Sequence, residues 1–151
     1  MNPRATVIRR ISFGLALFGL FAIPLAGNSA DKSGHHESMQ ACAKACSDCQ
    51  RECDMCTMHC STLLAEGQKD HVTSMRSCQD CATICAAAAQ IVARGGPHSG
   101  LICESCAKAC DHCGKICEKF PKDEHMTKCA EECRKCQRAC EDMAKEMVTF
   151  K

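Results

Sequence analysis

The chain has 151 residues and a formal net charge of +1, enough sequence for one domain and too little for two ordinary ones. Lys and Arg are scattered among Asp and Glu without a basic block, and there is no Trp or Tyr. It therefore has neither the charge footprint nor the stacking rings that nucleic-acid binding needs, which argues against nucleic acid as a partner.

The first element is an N-terminal segment built for targeting. Arg4, Arg9 and Arg10 precede an apolar run from Ile11 to Ala26, broken by Gly14, Gly19 and Pro24, and small residues follow through Ala30. Charge, a short hydrophobic stretch and a small-residue exit, in that order, predict an export signal over residues 1–30. The run is too short for a comfortable membrane span. The Arg9-Arg10 pair, with Phe13 three positions after it, points to the twin-arginine route. The expectation is a periplasmic domain over residues 31–151, with no stable membrane insertion once the signal is removed.

That domain is odd in composition. Leu, Ile, Val and Phe make up 12 of its 121 residues. A chain with less than roughly a fifth of such residues normally stays disordered, because it cannot bury enough apolar surface. The remaining candidates for a core are 15 alanines and 18 cysteines; a protonated cysteine packs as a small apolar side chain.

Four helices are predicted from the breakers. A breaker-free stretch runs from about Ser38 to Gly67, and a second from about Lys69 to Gly95-Gly96-Pro97. A third, which Ser99 could cap, is closed by Pro121. The fourth, with Pro121 able to occupy its first turn, reaches about Val148. Each is rich in good helix formers and poor in β-branched residues, although Gly100 and Gly114 weaken the third. Four such helices joined by short turns predict an all-α, antiparallel four-helix bundle.

The cysteines follow the helical period without exception. They fall at Cys42, Cys46, Cys49, Cys53, Cys56 and Cys60 in the first helix, and at Cys78, Cys81 and Cys85 in the second. The third carries Cys103, Cys106, Cys110, Cys113 and Cys117, and the fourth Cys129, Cys133, Cys136 and Cys140. Every step within a helix is three or four residues, the stripe that Leu and Ile ordinarily occupy in a bundle. The stripe extends to Met39 and Leu63, to Ala88 and Val92, to Phe120, and to Met126, Met143 and Met147. The thiols are therefore expected to line the bundle axis while charged side chains face water.

Disulfides are the usual use of cysteine in exported proteins, but the predicted loops contain none, and pairing neighbours on one helix closes loops of little entropic value. Plain core packing would favour Leu or Ile. The bacterial iron–sulfur run C-x2-C-x2-C-x3-C-P is absent. Redox C-x2-C pairs belong at exposed helix N-termini, whereas these lie mid-helix, and no catalytic triad, carboxylate pair or phosphate loop is apparent. The chain therefore reads as a metal binder and not an enzyme. Zinc at four thiolates would leave a charge of −2 per site in a dry core; copper(I) at about one ion per cysteine leaves the core neutral. The C-x3-C pairs, such as Cys42/Cys46 and Cys136/Cys140, are suited to chelate one Cu(I) each.

On these C-x3-C pairs, recurring on all four helices, the sequence resembles the bacterial copper storage proteins. The resemblance implies a homotetramer of Cu(I)-filled bundles, an exported subset with twin-arginine signals, and a supply of copper to abundant copper enzymes through donor and acceptor proteins. A detoxifying or zinc-binding metallothionein analogue of the same fold is the alternative. The second helix departs from the pattern, with only three thiols and with His71 and Ser74 continuing its stripe. Met39, Met143 and Met147, joined by His35 and His36, are read as transient ligands at a copper mouth. Leu63, Phe120 and Met126 at the opposite end read as an apolar plug, and His59, His98, His112 and His125 as surface residues.

Overall fold

The computed structural model describes residues 29–149, with side chains from Gly34 to Val148. The expected export signal, Arg9 and Arg10 included, lies outside the described residues except for Ser29 and Ala30. The described chain is four helices: α1 (Ser29–Ala65), α2 (Val72–Ala93), α3 (Ser99–Cys117) and α4 (Glu124–Thr149), with a short 3-10 turn, Lys69–His71, before α2. No described helix is long and apolar enough to cross a membrane. α1 and α3 each pack against α2 and α4, the diagonal pairs staying apart, so the helices form a ring around one axis, as in an up-down-up-down bundle.

The helix ends show which breakers act and how. α1 and α2 both close with a left-handed residue, Gly67 (φ 92°) and Gly95 (φ 59°). In each case the following amide reaches back five residues: Gln68 N–H to the Leu63 carbonyl (2.9 Å) and Gly96 N–H to the Ile91 carbonyl (3.0 Å). This is the Schellman closure, which glycine adopts without a Cβ penalty.

Three expected boundaries move. α1 begins nine residues before Ser38. In the added turns His35 meets α4, its Nδ1 3.4 Å from Glu146 Oε2, and Ser38 Oγ donates to the same oxygen at 2.6 Å, so tertiary contact offsets the poor propensity of Ser, Gly and His there. Ser99 lies inside α3 and donates to the Gly96 carbonyl (2.7 Å) instead of accepting from the helix start. Pro121 stays in the turn before α4, which is capped by Asp123: its Oδ1 accepts from Met126 N–H at 3.2 Å. Asp123→Ala should lower stability by about 1–2 kcal/mol, while Asp123→Asn, which keeps an acceptor, should retain most of it; thermal melts of the two variants check this.

The core is what the stripes imply. No cysteine exposes more than 2% of its surface, and the thiols form one buried cluster with Ala43, Ala82, Ala88, Val92, Ala107, Ala130, Met126 and Met143. Small side chains on all four helices allow close approach, so sulfur fills the space that branched aliphatics would take.

Candidate metal centre

All 18 cysteines are free thiols, aimed at the axis by the three/four spacing of each helix. Their Sγ atoms form a nearly continuous network. At the end where α1 begins, Cys42 lies 3.9 Å from Cys103 and 4.0 Å from Cys140. Cys46 then contacts Cys140 (3.4 Å) and Cys136 (3.7 Å). Mid-bundle, Cys85 meets Cys106 and Cys110, both at 3.6 Å, and Cys49 and Cys53 each stand 3.8 Å from Cys133. Toward the other end, Cys78 contacts Cys113 (3.7 Å), Cys129 (3.8 Å) and Cys117 (3.9 Å).

The nearest neighbours are mostly on facing helices. Within one helix, Cys49/Cys53 and Cys106/Cys110 stand 4.0 Å apart and Cys81/Cys85 3.9 Å apart. The tightest contacts cross between helices, so sites built across helices join those expected within one. Several four-thiol groups have all their sulfurs within 4.8 Å of one another, among them Cys46, Cys106, Cys136 and Cys140, and Cys53, Cys113, Cys129 and Cys133. A sulfur pair of about that separation can hold one soft ion between them at bonds of roughly 2.3 Å.

Crowding of this kind governs protonation. Cys49, Cys106 and Cys113 are held low, first by hydrogen bonds from Cys110, Cys110 and Cys117 respectively. Their neighbours Cys53 and Cys136 are pushed up, first through their bonds to Cys113 and Cys106, with burial adding to the rise. A thiolate in a dry core holds the next thiol protonated, because a second negative charge there is unsupported. Only a cation can replace those protons without leaving net charge behind.

The two ends differ. At the first, Met143 is buried, and Met39 and Met147 pack against the core while remaining partly exposed. His35 faces Glu146, Nδ1 to Oε2 at 3.4 Å, and His36 is exposed. The second end keeps the expected apolar residues, with Met126 in the core and Phe120 packed against it, and sets polar and sulfur contacts among them. Met126 is fully buried, with Cys56 donating to its Sδ at 3.4 Å and Cys60 at 3.7 Å. His71 is buried and stacks on Phe120 with ring centroids 4.3 Å apart. His59 binds Asp123 (Nε2 to Oδ2, 2.7 Å) and stacks on His125 at 4.4 Å. Burial raises the Asp123 carboxyl, but the bonds from His59 and the Met126 amide outweigh it and leave it lowered. His98, His112 and His125 are exposed. The stripe itself carried the signal for this end, since Met126 and His71 both fall on it; an apolar reading of methionine hid the sulfur.

The family model for copper storage proteins matches residues 34–145, a span that contains every cysteine. The chain belongs to the copper storage protein family. Among its relatives is an uncharacterized cysteine-rich protein, YhjQ, of Bacillus subtilis, 36% identical over 85 residues, covering 56% of this chain and 76% of that one. Solved family structures superpose along most of the bundle. The Cu(I)-bound copper storage protein BsCsp3 is 33% identical at a TM-score of 0.64, covering 71% of this chain and 98% of that one. A cytosolic copper storage protein from Streptomyces lividans, with five coppers loaded, is 28% identical at a TM-score of 0.67, covering 75% of this chain and 97% of that one. As in the family at large, the fold here is a four-helix bundle whose core is filled by clustered cysteines.

Proposed function

We propose that this copper storage protein holds Cu(I) as a non-enzymatic store, at about one ion per thiolate, through all 18 cysteines. The observation that carries the reading is the network of buried sulfur, mostly in steps of 4.0 Å or less, reaching through the whole core. Relatives loaded with copper support it. Bridging sulfurs let neighbouring ions share ligands, and a +1 ion per thiolate keeps the interior neutral. The same core could serve detoxification or take zinc, and anaerobic titration with Cu(I) in competition with zinc tests the choice of metal. Release of the ions to copper enzymes in the periplasm, after export through the Arg9-Arg10 signal, completes the proposed role.

Both ends offer soft donors for uptake. In the first reading Met39, Met143 and Met147 are transient ligands at the mouth, since thioethers bind Cu(I) reversibly. A specific observation favours a second reading at the opposite end: His71 Nδ1 and Ser74 Oγ are buried without a hydrogen-bond partner. Both stand where the α2 stripe would place thiols, at the end where Met126 meets Cys56 and Cys60. Such unpaired groups cost about 1–3 kcal/mol each unless a ligand meets them. Rapid-mixing uptake of Cu(I) separates the readings. The Met39→Ala, Met143→Ala, Met147→Ala variant should load slowly under the first, and His71→Ala with Met126→Leu under the second. Final capacity should fall by no more than about two ions in either case.

A further inference from the structure

We propose that His59 and His125, with Asp123 behind them, bind one borderline divalent cation such as Zn(II) on the outside of the bundle, apart from its thiols. His59 stands near the end of α1 and His125 in the first turn of α4. Their imidazoles stack with ring centroids 4.4 Å apart and planes inclined by 27°. The inclination brings one pair of ring edges closer together than the other. A tetrahedral ion shared by two imidazoles needs its nitrogens about 3.3 Å apart, at Zn–N bonds of about 2.0 Å. A small rotation of either ring supplies that spacing.

The hydrogen bonding leaves nitrogens for such an ion. The Asp123 carboxylate can only accept, and it takes its bond from His59 Nε2, 2.7 Å from Oδ2. The lone pair of the neutral ring is then on Nδ1. A carboxylate that orients an imidazole through its far nitrogen is the usual outer partner of a zinc–histidine bond. Among the described residues neither His59 Nδ1 nor either ring nitrogen of His125 has a hydrogen-bond or ion-pair partner. Asp123 is itself fixed, because its Oδ1 accepts from the Met126 amide at 3.2 Å. With Glu124 it supplies the negative charge that a cation beside the positive end of α4 requires. His59 is partly exposed and His125 exposed, whereas Cys60 is buried and directs its thiol to Met126 in the core. The site therefore needs no thiol, and it stands whether or not the thiols hold copper. Imidazole and carboxylate suit zinc, while the thiolates suit Cu(I).

Nuclear magnetic resonance of the histidine rings, in the reduced chain saturated with Cu(I) and titrated with Zn(II), tests the proposal. About one equivalent of Zn(II) should shift the His59 and His125 signals together and leave those of His98 and His112 in place. Equilibrium dialysis should find one more Zn(II) on the wild type than on His59→Ala or His125→Ala, with copper content and helicity unchanged. Asp123→Asn, which keeps an acceptor for the α4 cap and loses the charge, should weaken Zn(II) by about tenfold or more. Should the thiols take zinc in place of copper, the wild type should still exceed each alanine variant by one ion, so a failed store does not mask the result. Zn(II) that leaves both ring signals unmoved, or that binds the alanine variants as well as the wild type, would overturn the proposal.

Discussion

Titrated anaerobically with Cu(I), the reduced chain is expected to saturate near 18 equivalents, matching its 18 free thiols at about one ion each. The reason is charge. Eighteen thiolates cannot coexist in a dry core, and the opposed shifts of Cys49 and Cys53 show that ionising one thiol holds the next protonated. Thiols held protonated must give up a proton to bind Cu(I), whereas Cys49, Cys106 and Cys113 are already held low. Loading at neutral pH should therefore release protons at somewhat less than one per ion, measurable in weak buffer. Thiols such as Cys53 and Cys136, raised in the fold, stay protonated across neutral pH. Copper affinity should accordingly rise with pH and fall as the solution is acidified. Replacing Cys49 and Cys53 by serine should reduce capacity by about two ions and leave helicity intact. Saturation near four ions, with zinc winning the competition, would instead mean isolated four-thiolate sites.

The second large effect is on stability. The metal-free core is thiols and alanines, which bury less apolar area per residue than leucine or isoleucine would. Helix propensity is high, and both Schellman closures and the Asp123 cap are made by the chain's own backbone and side chains. The reduced apo-protein should therefore be helical but loosely stable. Even one site occupied at a thousandfold excess over its Kd adds about 4 kcal/mol, raising Tm by roughly 10–20 °C in a domain this size, and many linked sites add more. Melting followed by far-ultraviolet circular dichroism, with and without saturating Cu(I), measures it. An apo chain without helical signal, or one whose Tm ignores copper, would show that metal does not bind a preformed bundle.

The number and order of the helices, and the inward face of each, were legible in the chain alone. The three/four steps of cysteine admit one periodicity, and Gly67, Gly95 and Pro121 punctuate it by local sterics that need no partner. With that period, 18 thiols had one place to go, the axis. Local patterns fix the direction a side chain takes from its helix and leave open what it meets there. Three things depended on packing. Sulfur neighbours lie mainly across helices, as with Cys46 and Cys140, because inter-helix distance is set by the size of the facing residues. Met126 joins the thiols Cys56 and Cys60, although its sequence neighbourhood is that of an apolar cap. The unpartnered nitrogen of His71 and hydroxyl of Ser74 also emerge only when α2 is set against its neighbours. Whether a buried donor finds a partner is a property of the assembled core and of no segment within it.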